Sequence, residues 1–367
     1  MTIAGADGPV SDLEVAAMCL ALGLAGRGRR EASPNPSVGA VLLHGTEIVG
    51  QGWTAAFGGP HAEVRALAQA GARARGATAV MTLEPCNHTG RTGPCTVALA
   101  SAGVVRVVYG ATDPGSLAGG GGARLRAAGV QVVAGVLEPW AREVHRTFLH
   151  DAATSRPLVT LKLAATADAR MAVAGRDWVT GPAARRRVHV LRSRNDAVLV
   201  GIGTVLADDP QLDVRHVESP GGQPRPVWID RGGRTPLDAR VVRSGGVVVT
   251  GEGSAIGWRK GLAARGVRVV IVVERDGRLD LAAAVTALRG LGIVRLLAEP
   301  GPGLASGLFD SGLVDDLVLH IAPDVAGVAG LPTVPPALWA APSSHEWVVR
   351  SARPLGLDRE VVVRPRR

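Results

Sequence analysis

The chain has 367 residues, 46% of them hydrophobic, and a net charge of +9. It is long for one core, so two domains are expected, and no apolar run reaches the roughly 18–20 residues that would span a bilayer. The charge invites a nucleic-acid partner, but the arginines are scattered and an aromatic content of 3% offers few stacking platforms, so neither nucleic acid nor membrane is expected as a partner.

Residues 1–10 read as a loose tail. Ser11 and Glu14 have capping-box spacing, so a helix is expected from there to about Arg27, with Cys19 as a core thiol. In Ser33-Pro34-Asn35-Pro36 two prolines fix the backbone around Asn35. An amide held this way suits a base edge, since it offers donor and acceptor together; an ordinary turn asparagine explains it equally well. Strands are expected at Ala40–Leu43 and Glu47–Trp53, a break at Gly58-Gly59-Pro60, then a helix from His61. A strand over Ala77–Leu83, a helix from Pro94 and strands at Val104–Tyr109 and Gln131–Ala134 continue the alternation, which implies a three-layer α/β domain.

The chemistry concentrates in His61-Ala62-Glu63 and in the run Glu84 to Cys95. His61, Cys86 and Cys95 supply one nitrogen and two sulfurs, the three protein ligands of a catalytic zinc site with one position open. Zinc lowers the pKa of bound water to about 7. Glu63, two residues from a ligand, can shuttle the proton. H-x-E followed by P-C-x-x-C is a known signature of zinc deaminases. Here the gap between the cysteines is eight residues, and the longer loop carries His88 and Arg91, cations suited to a substrate phosphate. Three cysteines, two of them given to metal, leave no disulfide framework, which fits a reducing cytoplasm. No secretory signal is expected.

The pattern breaks at Asp151–Pro157, giving domains over 11–150 and 157–367. The second half alternates again, with strands from Leu158, Ala197, Val227, Val247, Val267, Ile293 and Leu317 and helices including Pro182–Ser193. The glycine turns at Gly201 and Gly301 allow close approach of a pyrophosphate. They lack the dinucleotide fingerprint, and simple turns account for them as well.

Pro34-Asn35-Pro36-Ser37-Val38-Gly39, His61-Ala62-Glu63-Val64 and the run Thr82–Cys95 together resemble the RibD family of riboflavin-biosynthesis proteins, a pyrimidine deaminase fused to a reductase. The resemblance covers nearly the whole chain. It implies a cytidine-deaminase-like domain followed by a dihydrofolate-reductase-like domain. It also implies zinc-dependent deamination of 2,5-diamino-6-(5-phosphoribosylamino)pyrimidin-4-one, then NADPH-dependent reduction of the ribosyl group to ribityl. Carried over by position, His61, Cys86 and Cys95 bind zinc, Glu63 is catalytic, and Asn35, His88 and Arg91 contact substrate. In the second half Ala164, Trp178, Thr204, Asp208 and the turn Gly301, Pro302, Gly303, Leu304, Ala305, Ser306, Gly307 match NADPH positions. Arg192, Leu212, Arg215 and Glu299 match substrate positions, and Lys162 matches a family lysine. The two arginines suit a phosphate. A cytoplasmic homo-oligomer is implied.

The departures lie in the second half: Ala169 where the family has glycine, Arg176 and Asp177 in a shortened Gly-Glu-Ser-x-Trp, and Pro300 after Glu299. Ala169 is expected to block a positive φ. Two alternatives follow, a deaminase with a lapsed reductase serving as a binding or oligomerising module, and a paralogue acting on a related aminopyrimidine. A nucleic-acid base editor is disfavoured by the long cysteine loop and the full second domain.

Overall fold

The computed structural model describes residues 4–5, 8–28, 30–89, 93–115, 119–173, 178–243, 245–327, 330–332 and 347–366. The chain forms two compact units, Met1–Ser155 and Arg156–Arg367.

In the first unit, Ser11 accepts a hydrogen bond from the Glu14 N–H and Glu14 bonds back, a capping box that opens the helix Asp12–Ala25. Glu14 also takes Arg106 Nε at 2.6 Å, which ties the first turn to the strand Arg106–Ala111. The inward stripe runs through Ala17, Met18, Ala21, Leu24 and Ala25, so Cys19 points outward and is exposed, contrary to the expectation of a core thiol. Five strands follow in the order Glu47–Trp53, Gly39–His44, Thr78–Leu83, Arg106–Ala111, Gln131–Val133. The first two pairings are antiparallel and the last two parallel.

Both faces of this sheet are covered. Ala40 and Leu42 pack with Ala62, Ala66 and Leu99 on one face, while Val41 and Leu43 pack with Met18 and Ala21 on the other. That explains why its strands read as unbroken apolar runs. Glycines set the distances between layers. A Cβ on Gly39 would land on the Ala21 carbonyl, one on Gly50 on the Ala66 carbonyl, and one on Gly52 on the Ala62 carbonyl. The helix Ala62–Ala70 therefore rests directly on backbone.

The second unit is built on a nine-stranded sheet. Seven strands run in the order Arg268–Ile271, Val247–Thr250, Arg225–Ile229, Ala197–Gly201, Arg295–Ala298, Leu158–Ala165, Asp316–Ile321, all parallel. The closing hairpin Trp347–Leu355 and Asp358–Pro365 adds two antiparallel strands. Val159, Leu161 and Leu163 face one core, and Val318, Val362, Leu191 and the fully buried Trp228 face the other. The helix Ile256–Ala263 and the strand Arg170–Val173 were not anticipated from the sequence; both are short and weakly periodic.

The turn joining Leu158–Ala165 to Arg170–Val173 corrects a second expectation. Ala169 has φ +59°, the conformation that a Cβ disfavours. It is held there by bonds around it: Ala169 N–H to Thr166 O at 2.9 Å, Arg170 N–H to Thr166 Oγ1 at 3.0 Å, and Asp168 accepting from the Ala326 and Gly327 N–H groups.

Candidate active sites

In the first unit, Gly58-Gly59-Pro60 turns the chain into the helix Ala62–Ala70, and His61 takes its N-cap in extended conformation without capping it. The ring faces sulfur instead: His61 Nδ1 is 3.2 Å from Cys95 Sγ and 3.5 Å from Cys86 Sγ. Cys86 follows the strand Thr78–Leu83, and Cys95 is the first residue of the helix Cys95–Ser101, with Pro94 at the N-cap. The Cys95 N–H donates to Cys86 Sγ at 3.3 Å.

The three ligand atoms lie within 4.8 Å of one another. Two thiolates at this separation repel each other. The Cys95 thiol, His61 and the Cys95 N–H draw Cys86 down to about 4, against burial. The Cys86 thiolate and burial push Cys95 up. A soft divalent cation relieves that repulsion, and one imidazole with two thiolates is a donor set that suits zinc. Glu63 lies in the first turn of the same helix and is 3% exposed. Its Oε2 takes no hydrogen bond from any described residue, and burial pushes its carboxyl up. A buried carboxyl with one oxygen unsatisfied beside the ligand set has the chemistry that proton transfer requires.

These residues open onto a cleft of about 280 Å³ whose walls include Asn35, Phe57, His61, Glu63, His88 and Phe148. Asn35 is exposed at the rim, and its N–H donates to Ala32 O at 2.8 Å. His88 is exposed on the cysteine loop, and Asn87 ties that loop down by accepting from Arg124 Nη1 at 2.9 Å. Arg91 lies outside the described residues.

Two kinds of wall residue went unread in the sequence. The chain has only three phenylalanines, and two of them, Phe57 and Phe148, line this cleft; that scarcity was an available signal. Glu84 and Asp113 also line it. Glu84 accepts from the Asp113 N–H at 3.2 Å and the Gly122 N–H at 2.9 Å, and burial with Glu84 nearby pushes the Asp113 carboxyl up.

In the second unit the expected positions gather at the C-terminal ends of the parallel strands, where open α/β sheets bind ligands. Ala164 ends the strand Leu158–Ala165, and Thr204 lies on the helix Ile202–Asp208 after Gly201. Gly301 caps the helix Pro302–Asp310, which carries the rest of the Gly301–Gly307 turn, and a Cβ on Gly301 would come 3.9 Å from the Thr204 hydroxyl. The two glycine turns therefore meet. Asp208 is exposed at the far end of its short helix. Trp178 is 66% exposed, with the Arg185 guanidinium 5.3 Å from its ring centroid. Pro300 is buried between Glu299 and the helix cap, while Gly175, Arg176 and Asp177 lie outside the described residues.

Arg192 is not a free phosphate ligand. Its Nε and Nη2 each meet a Glu299 oxygen at 2.8 Å, and Nη1 donates to Asp213 O at 3.0 Å. Arg215 stays exposed, 3.3 Å from Asp213 Oδ1, and its N–H donates to His189 Nδ1 at 3.1 Å. Leu212 has φ +53° and buries its side chain in the core. Beside the Arg192–Glu299 pair stands Lys162. Removal from water and the field of Arg192 lower its pKa, with Glu299 opposing. Burial opposes ionisation of Glu299, but Arg192 and Lys162 keep its carboxyl below the usual range.

Residues 12–111 match the family model of the cytidine and deoxycytidylate deaminase zinc-binding region, and residues 157–338 match that of the RibD C-terminal domain. The riboflavin biosynthesis protein RibD of Escherichia coli K12 is 41% identical over 337 residues, 87% of this chain and 90% of that protein. The Aquifex aeolicus RibD is 39% identical, over 84% and 87%. Among solved structures, Acinetobacter baumannii RibD, form 2, superposes with a TM-score of 0.85 at 34% identity, covering 97% of this chain and all of that one. The Thermotoga maritima deaminase/reductase does so at 0.83 and 30% identity, covering 96% and 99%.

Proposed function

The chain belongs to the RibD family, and from that premise we propose how its residues divide two reactions. It is a bifunctional enzyme of riboflavin biosynthesis, a zinc-dependent deaminase joined to an NADPH-dependent reductase. The relatives favour two working halves over a lapsed second one, since they match across both.

The observation that carries the deaminase assignment is the buried, unsatisfied Glu63 Oε2 beside one imidazole and two cysteine sulfurs. His61, Cys86 and Cys95 hold the zinc. When bound, zinc supplies an activated water for attack on the amine-bearing ring carbon. Glu63 takes a proton from that water and delivers it to the ring nitrogen, then carries a second proton, from the hydroxyl group newly added to the ring carbon, to the amine that departs as ammonia; burial, which pushes its carboxyl up, favours the protonated form it needs for each delivery. Phe57 and Phe148 offer faces for the pyrimidine, Asn35 pairs with its edge, and His88 with Arg91 meets the phosphate.

In the reductase, NADPH supplies a hydride to C1′ of the ribosylamine. Its site is Ala164, Trp178, Thr204, Asp208 and the Gly301–Gly307 turn. One proton must follow the hydride to open the sugar as a ribityl chain. Lys162 is the donor of that proton, because it is a lysine with a lowered pKa beside Glu299, at the level where the neighbouring strand Arg295–Ala298 ends. Arg215, the arginine left uncommitted to Glu299, takes the substrate phosphate, and Arg192 orients Glu299.

No helix among the described residues is long and apolar enough to cross a membrane. We assign the enzyme to the cytoplasm, consistent with three cysteines that form no disulfide, and expect a homo-oligomer, since among the described residues the nine-residue strand Trp347–Leu355 pairs on one side alone, a second side on which another copy can add.

The deciding experiment is a coupled assay on zinc-loaded protein with the diaminopyrimidine ribosyl phosphate. Ammonia release followed by NADPH oxidation is expected. Ammonia without NADPH loss would remove the reductase assignment, and neither signal would point to a different aminopyrimidine.

A further inference from the structure

Lys162 belongs to a row of ionisable groups that crosses the sheet of the second unit. In the parallel pairing Lys162 is level with Val318, and Ala164 with His320; in the antiparallel pairing beyond, His320 is level with Glu360. Residues two apart on a strand share a face, so Lys162, His320 and Glu360 project to one side. It is the side on which Val318, Val362 and Leu191 pack, under the helix Pro182–Ser193. Glu299 follows the Ala298–Leu161 pair and flanks Lys162 from the other direction. The helix fixes both ends of the row. Arg192 holds Glu299, and five residues earlier Arg187 Nε meets Glu360 Oε2 at 2.8 Å. Arg353 of the closing hairpin adds Nε to Glu360 Oε1 at 2.8 Å.

His320 is the member of this row without an assigned purpose. It is 0% exposed, and its Nε2 lies 3.0 Å from Glu360 Oε2. Burial opposes ionisation of Glu360, but His320, Arg187 and Arg353 hold its carboxyl down to about 2. A carboxylate only accepts, so Nε2 carries the proton and Nδ1 presents a lone pair. Burial keeps the ring neutral, with the Glu360 bond opposing and the charges of Lys162 and Arg187 assisting. That Nδ1 is buried and takes no hydrogen bond from any described residue. A bare buried acceptor is destabilising unless something fills it. Lys162, whose field reaches this ring, brings three N–H donors that are bonded to no described side chain.

The geometry points to His320 as a positioning residue of the reductase: with its ring fixed by Glu360, Nδ1 is the acceptor that holds the Lys162 ammonium, through one water, at the reacting carbon. This rests on the assignment of Lys162 to the reduction made above. The lysine then has a fixed direction in which to deliver its proton, with the Glu299 charge on one side and the bridge to Nδ1 on the other.

His320→Gln separates this role from a structural one. The glutamine NH2 still donates to Glu360, but the one acceptor left, its carbonyl oxygen, is attached at Cδ and no longer sits at the former Nδ1. In the full-length, zinc-loaded variant, NADPH affinity and the KM for substrate should be unchanged and the reductase kcat should fall about tenfold, the scale of an outer partner's loss. The alkaline limb of the kcat–pH profile should move to lower pH, because the ammonium has lost an acceptor. Wild-type kcat and an unmoved profile would overturn the proposal. A second measurement needs no turnover: the ¹⁵N shift of His320 Nδ1, compared between wild type and Lys162→Met. A changed shift supports the contact, and an identical one overturns it. If the wild-type protein oxidises no NADPH, the reductase assignment fails by itself, while the nitrogen shift still reports on the Lys162–His320 contact.

Discussion

Replacing Arg192 by methionine separates two uses of that guanidinium. Arg192 and Glu299 are each 13% exposed and share two bonds of 2.8 Å, with a third from Nη1 to the Asp213 carbonyl. Removing one partner of such a pair leaves a buried charge uncompensated, which costs about 3–5 kcal/mol. Lys162 remains as a counter-charge, so the lower end applies, about 3 kcal/mol. For a unit of this size that is a fall of roughly 6–12 °C in the melting temperature. Differential scanning calorimetry of the full chain, with assignment of the second-unit transition by NADPH stabilisation, gives the number. Adding Glu299→Gln should restore part of the loss, because the stranded charge is then gone. An Arg192→Met protein that melts with the wild type but shows a raised KM for the phosphorylated substrate would refute this reasoning. It would mean that the guanidinium leaves Glu299 to grip the phosphate.

Glu63→Gln should keep stoichiometric zinc and lose about 10²–10⁴-fold in deamination, read by metal analysis and ammonia release; retained turnover would remove Glu63 from the mechanism. Cys86→Ser should lose stoichiometric zinc, and unchanged metal content would sink the ligand assignment. Ala169→Gly should stabilise the second unit by about 0.5–1 kcal/mol, since relief of an alanine at φ +59° outweighs the freedom that glycine adds to the unfolded chain; a lower melting temperature would show that the turn is not strained. Glu360 is held down to about 2 against 4.5 in an unfolded chain, so its stabilisation is complete above pH 4.5 and is lost as the pH falls towards 2. Glu360→Gln should therefore be less stable than wild type at pH 6, with the gap closing across that window; a gap independent of pH would assign the loss to packing.

How much was legible from the sequence differs between the two halves. The proposed zinc ligands and Glu63 sit within two short runs, so spacing alone suggested the cluster that His61, Cys86 and Cys95 form, and the capping box at Ser11 and Glu14 gave the first helix its start. Cys19 misled because an apolar helical run conceals which stripe faces inward; the sheet decides that, and the sheet is assembled from distant strands. In the second unit, Arg192 and Glu299 are 107 positions apart and His320 and Glu360 are 40 apart. No local pattern announces such pairs. Arginine at position 192 suits a phosphate and a carboxylate equally, and only the fold selects between them. Ala169 shows the reverse case. Its chemistry argued against a positive φ, and the hydrogen bonds of Thr166 and Asp168 overrule that preference.

Gly39, Gly50 and Gly52 hold no ligand and move no proton, yet the helices they carry cannot sink to their depth over any larger residue. A saturation mutagenesis screen scored on deaminase output should therefore find Gly50 and Gly52 as intolerant as Cys86. Such a map would record two kinds of necessity in one colour: atoms that take part in the reaction, and absent atoms whose space the helix bearing His61 and Glu63 already occupies. Metal content separates them. Substituting a ligand empties the site of a folded protein, whereas adding a methyl group under the helix should deplete the folded protein itself.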